Sequence, residues 1–151
     1  MPRRFFRTIE AATAAATLLL ALPAGAQSLF HRAENQVQVA IIKVARVAGN
    51  TEVHLQTLKA MPSVCWHATG ENSPYLLADG RRFRYLNGAN ITACPGRQAY
   101  ADKETMILRF EPLPVQARIF SLVEGRGGEN QMIDPSSSKE QFWNFLRVKL
   151  D

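Results

Sequence analysis

From Val37 to Leu150 the chain is a succession of short β-branched and aromatic runs, each closed by Gly, Pro, Asn or Asp. Apolar residues in most of these runs recur at every second position, the period of a strand with one buried face. Val37-Gln38-Val39-Ala40-Ile41 alternates, and Ile42-Lys43-Val44-Ala45-Arg46-Val47 continues in a shifted phase. The shift predicts a bulge or a strand buried on both faces. After a turn at Gly49-Asn50, Thr51 to Thr57 alternates with Val53, Leu55 and Thr57 on one face, so the two runs read as an antiparallel hairpin.

The pattern continues downstream. Val64-Cys65-Trp66-His67-Ala68 reads as a strand closed by Gly70 to Pro74. Tyr75-Leu76-Leu77-Ala78 and Arg82-Phe83-Arg84-Tyr85-Leu86 flank Asp79-Gly80, a dipeptide suited to the positive φ angles of a tight hairpin turn. A loop is expected from Asn87 to Arg97. Thr105 to Phe110 and Arg118 to Val123 are further strands, separated by Glu111-Pro112-Leu113-Pro114. The expected fold is all-β, an antiparallel β-sandwich of seven or eight strands over residues 36–151. The immunoglobulin hallmark spacing is absent, because Trp66 adjoins Cys65 instead of lying midway between the cysteines.

The start of the chain reads differently. Arg3, Arg4 and Arg7 precede an uncharged Ala- and Leu-rich run from Ala11 to Leu22, and Pro23-Ala24-Gly25-Ala26 supplies the small residues of a cleavage site. Residues 1–26 are therefore expected to be a cleaved signal peptide. The apolar run is too short for a membrane span, which needs about 20 residues. No Cys adjoins the site, which argues against a lipid anchor. Arg3-Arg4-Phe5-Phe6 resembles the twin-arginine export signal, from which Pro2 and Arg7-Thr8 depart, so the general secretory route is the preferred reading. Residues 27–35 are polar and irregular and are expected to be a flexible lead-in. The expected location is the periplasm or the exterior.

Removing the leader takes away three Arg and one Glu and leaves 15 basic and 12 acidic side chains, net +3. That is ordinary solubility charge and gives no reason to expect nucleic acid as a partner. Both cysteines, Cys65 and Cys94, lie in the exported part, where an oxidising compartment and an even count predict a structural disulfide. A redox pair would usually be spaced C-x-x-C, and a zinc site would need further ligands.

The C-terminal segment carries two patterns. Ser137-x-x-Glu140 resembles a helix capping box, with Phe142, Phe145, Leu146 and Lys149 as a helical stripe. Against it, Phe142, Leu146, Val148 and Leu150 fit a strand face, with Trp143, Phe145, Arg147 and Lys149 opposite; aromatic and β-branched content tilts the pattern toward the strand. Several stretches taken together resemble a known pattern: Tyr75 to Phe83, Phe110-Glu111-Pro112-Leu113-Pro114, Phe120 to Gly125, and Trp143-Asn144-Phe145-Leu146-Arg147-Val148. The chain is similar over residues 36–150 to exported bacterial Ig-like β-sandwich domains that occur alone or as N-terminal accessory modules. The resemblance implies a C-terminal strand and a binding or accessory role, with no catalytic residues to carry over. The Cys65 and Cys94 pair is not part of it.

No motif carries catalysis. There is no G-x-S-x-G and no compelling Ser/His/acid trio. Cys65 and His67 point the same way on a strand and would offer two metal ligands, a pair that a Cys65–Cys94 bridge removes. His31 falls in the lead-in and His54 on the polar face of its strand, and Met61, Met106 and Met132 are scattered without neighbouring His. Glu104, Glu111 and Glu124 lie near strand ends and are expected to bind turn backbone. Asn90-Ile91-Thr92 matches a glycosylation sequon that a bacterial chain leaves idle. The candidate binding residues are Arg82 and Arg84, which share one strand face while Phe83 and Tyr85 share the other. The expected function is an exported, non-catalytic binding or accessory module of the bacterial envelope. No cofactor or metal is expected, and the partner would be an envelope protein or polymer. A lysozyme inhibitor would have to meet a strongly basic enzyme, for which net +3 is ill suited. The alternative is a small envelope enzyme or metal carrier.

Overall fold

The computed structural model describes residues 25–33, 36–126, 128–129 and 142–151. The leader expected over residues 1–26 lies outside these except for its last two residues, as do the Pro135-Ser136-Ser137-Ser138 loop and the capping-box positions. The fold is all-β and antiparallel, with one disulfide. No helix occurs among the described residues, so none is long and apolar enough to cross a membrane.

The strands are β1 (Ala26–Ala33), β2 (Gln36–Val47), β3 (Asn50–Thr57), β4 (Met61–Val64), β5 (Tyr75–Ala78), β6 (Arg81–Ala89), β7 (Gln98–Tyr100), β8 (Thr105–Phe110), β9 (Ile119–Val123) and β10 (Asn144–Lys149). Eight form one sheet in the order β1-β2-β3-β8-β6-β5-β9-β10, and β4 pairs with β7 in a separate ribbon.

β6 lies inside the large sheet and joins its two halves. Its first half pairs with β5, from Arg81 opposite Ala78 to Arg84 opposite Tyr75. Its second half pairs with β8, and the register slips by one residue at Leu86. A bulge sharpens twist and bends the strand that carries it. The sheet turns here into two limbs whose inner faces share one core. Val53, Leu55, Met106, Leu108 and Phe110 come from one limb, and Leu76, Phe83, Phe120, Leu122, Phe145 and Val148 from the other.

The phase shift in β2 is a bulge: Ile41 pairs with Leu55 but Lys43 with His54, leaving Ile42 as the extra residue. Val39 and Ile41 before it and Val44 after it all reach the core. β10 uses the same device. Phe145 pairs with Leu122 and Val148 with Phe120, with Arg147 at φ 54° in the added step. Phe145 and Val148 are therefore both buried although unbroken alternation would put them on opposite faces. The C-terminal segment is a strand. The Asp79-Gly80 turn has φ of 49° and 72°, the left-handed pair its hairpin requires.

Three expectations are corrected. The flexible lead-in over residues 27–35 is instead mostly β1, which pairs with β2 despite its polar residues because the ladder satisfies backbone groups whatever the side chains. The strand expected over Val64 to Ala68 lies earlier, at Met61–Val64; beyond it Trp66 makes a single parallel bridge to Ala93, drawn toward the Cys94 loop. β6 extends to Ala89, so the Asn87 to Arg97 loop begins later.

Candidate functional site

The outward face of β6 carries the sequence-derived candidates. Arg82 and Arg84 are exposed while Phe83 is buried, as alternation about the pleat dictates; Arg81, next to the turn, is exposed on the Phe83 side of the strand. The Arg82 guanidinium lies 4.3 Å from the centroid of the Tyr75 ring on β5. A cation over an aromatic face at this range is attracted by the ring quadrupole and keeps its outer edge open to solvent. Arg81 lies 5.6 Å from the Phe83 centroid.

Arg84 is arranged differently. Its Nε and Nη2 donate to Glu111 Oε1 at 2.8 and 2.6 Å, and its backbone N–H donates to Glu111 Oε2 at 2.9 Å. These bonds hold the Glu111 carboxyl below its ordinary range and the Arg84 guanidinium above its own. The Arg84 side chain is nonetheless 81% exposed, so its charge is offset without being covered. The structure thus brings Arg82 and Arg84 onto one face but leaves only Arg82 of the two without a carboxylate among the described residues.

A second polar centre is buried. Glu124, just past β9, is 3% exposed. Its Oε1 accepts from the His67 backbone N–H at 3.3 Å and lies 3.0 Å from His67 Nδ1. Oε2 accepts from the Trp143 N–H at 3.1 Å. Burial pushes the Glu124 carboxyl up, opposed by the His67 side chain and by the two backbone donors. Around it, Trp66 packs on Trp143 with centroids 5.5 Å apart, and His67 meets the Phe142 ring edge-on at 5.2 Å. The arrangement ties the segment after β4 to the ends of β9 and β10. It is a fastening of backbone, the role expected of strand-end carboxylates. Glu104 does the same for a loop, accepting from the Ala101 N–H at 2.8 Å.

Cys65 and Cys94 are bridged, with Cα atoms 5.0 Å apart. The bridge removes the Cys65 thiolate from any pairing with His67. The backbone beside it is stitched as well: Trp66 N–H donates to Thr92 O and Cys94 N–H to Trp66 O. Among the described residues no group of three or more His, Cys, Asp or Glu is placed to hold a metal.

His54 lies on the outer face of the other limb. Its Nε2 is 3.2 Å from Glu52 Oε2, and Arg109 Nε donates to Glu52 Oε1 at 2.8 Å. The hydrogen bond from Arg109, more than that from His54, keeps the Glu52 carboxyl below its ordinary range. Glu52 and Arg109 are a cross-strand pair of β3 and β8, and His54 lies two residues along β3 from Glu52 on the same face. Sequence reasoning missed the Tyr75 contribution to the β6 face, because Tyr75 meets Arg82 only through the β5–β6 ladder. Compared with known protein families, curated proteins and solved structures, the chain matches none.

Proposed function

We propose that this chain is an exported, non-catalytic binding module of the bacterial envelope, with the outward face of β6 as its contact surface. The observation that carries the reading is Arg82 held over Tyr75 in the open, with Arg84 beside it. A guanidinium fixed on an aromatic ring loses less side-chain freedom on binding than a free one, which favours recognition of an anionic partner. The partner is an anionic envelope polymer or an acidic patch of an envelope protein. The leader-like residues 1–26 and the disulfide support export to an oxidising compartment. The resemblance to exported Ig-like accessory domains supports the same role.

Co-sedimentation of the purified protein with insoluble envelope material from its host tests this. Binding should weaken with salt and fall at least tenfold in an Arg82→Ala, Arg84→Ala double variant. Equal binding by the variant would reject the β6 face. Stoichiometric zinc or copper surviving dialysis would favour a metal carrier instead.

A further inference from the structure

The outward face of β6 continues across β5 to β9. Leu77 on β5 lies opposite Arg82 on one side and opposite Ser121 of β9 on the other, so the three form one row across the sheet. Their neighbours Leu76, Phe83 and Leu122 belong to the core, which puts the row on the outer face. The Ser121 hydroxyl accepts from the Arg147 N–H at 3.1 Å and donates to Glu129 Oε1. The Arg147 N–H can only donate, so the hydroxyl hydrogen is left for the carboxylate and fixes its place. Gly128, at φ 68°, brings this segment beside Tyr75: a Cβ added to it would lie 3.8 Å from the Tyr75 hydroxyl. Tyr75 is the ring that Arg82 covers.

An exposed guanidinium and an exposed carboxylate thus stand on either side of half-buried Leu77. Each is held by a neutral partner, Arg82 by the Tyr75 ring and Glu129 by the Ser121 hydroxyl. Two strand spacings, about 10 Å, separate Arg82 from Ser121 along the row. Among the described residues no ion pair joins Arg82 to Glu129, while Arg84 and Arg126 are paired with Glu111 and Glu71. Arg147 lies on β10, on the far side of Ser121 from Arg82.

We propose that this row is a zwitterion-binding site: Arg82 takes a carboxylate, Glu129 takes an ammonium, and Leu77 meets the apolar spacer between them. The inference rests on the β6 face as the contact surface and narrows its partner to a polymer segment that bears amines as well as carboxylates. A carboxylate alone gains a charge-assisted contact with Arg82 but meets repulsion from Glu129, and an amine alone meets the converse. A group carrying both charges turns each repulsion into an attraction. A densely charged polyanion is disfavoured for the same reason.

The test titrates the protein, as recovered after export, with ω-amino acids from glycine to aminooctanoate and with the plain carboxylic acid and plain amine of each length, following the Leu77 methyl signals. At least one amino acid should bind about fivefold tighter than both of its single-charge analogues, the upper reach of one exposed ion pair. Glu129→Gln, which keeps an acceptor for the Ser121 hydroxyl, should erase the preference over the acid, and Arg82→Gln the preference over the amine. No preference in the native protein, or a preference that survives its substitution, would overturn the site. On envelope material, acetylating the free amines should weaken co-sedimentation, whereas a purely anionic contact would be strengthened. Sedimentation that falls in the Arg82→Ala, Arg84→Ala variant but not on acetylation would remove the zwitterion and leave the β6 face standing. Sedimentation unchanged by that variant would remove the face and the row together.

Discussion

Glu124 and His67 meet twice: one carboxylate oxygen lies 3.0 Å from the imidazole Nδ1 and accepts from the backbone N–H of the same residue at 3.3 Å. The other oxygen holds the N–H of Trp143. Glu124→Ala would strand two backbone donors, each worth about 1–3 kcal/mol when left buried and unpaired. A loss of several kcal/mol is expected in urea unfolding. A loss below about 0.5 kcal/mol, the range of an ordinary surface change, would show that the fastening is dispensable.

The pH dependence of that centre has a definite sign. Burial raises the folded-state Glu124 pKa above its ordinary 4.5, so the folded chain holds this proton more tightly than the unfolded one. The contribution is full below the unfolded value and is lost as pH rises through the folded one. The stability of the native protein relative to Glu124→Gln should therefore decline as pH is raised from about 4.5. Urea unfolding across a pH series measures it. A difference that grows with pH would mean that the fold favours the ionised carboxylate.

Phe145 is fully buried in β10, whereas Lys149 on the same strand is exposed. Phe145→Ala should cost about 3–5 kcal/mol, the usual range for emptying an aromatic from a core. Lys149→Ala should stay within about 0.5 kcal/mol. Comparable effects at the two positions, read by thermal unfolding, would contradict the bulged register of β10.

The Cys65–Cys94 bridge closes a loop of 29 residues. On the chain-entropy account, replacing both cysteines by Ser should cost about 3–4 kcal/mol. Non-reducing peptide mapping of exported protein should recover the linked pair; two free thiols would be the contrary result.

Asn90 has φ 53°, and its Nδ2 donates to Thr105 O at 2.8 Å. Asn90→Ala should be more damaging than Asn90→Gly, because a left-handed backbone costs an alanine about 1–2 kcal/mol and glycine almost nothing. Equal costs in denaturant unfolding would place the whole effect in the side-chain hydrogen bonds, which both variants lose.

Legibility in the sequence follows how local each cause is. β3 and β8 announce themselves because each buries alternate apolar residues such as Val53, Leu55, Met106 and Leu108. The bulge in β2 shows as a slipped phase at Ile42. β1 does not show, because Gln27, Ser28, His31 and Arg32 give no apolar period and its stability comes from pairing with β2. β7 has three residues, too few for any period. At the candidate sites, the residue types of β6 and their facing were readable from alternation, and Glu124 was readable as a turn-binding carboxylate. Its donors were not, since His67 is 57 residues away and Trp143 is 19.

β6 pairs with β5 through one half and β8 through the other, and this bears on how the chain organises itself in time. The Asp79-Gly80 hairpin is among the most local contacts in the sheet and can close in about 1–10 μs. Once closed, it presents β6 to β8, which in turn meets β3. Pairing then spreads outward from one strand in both directions along the sheet. A slip at this hairpin displaces Phe83 in one limb and Tyr85 at the corner together. Substitutions in the Asp79-Gly80 turn should thus slow refolding, while those in β1, at the far edge of the sheet, should act chiefly on unfolding.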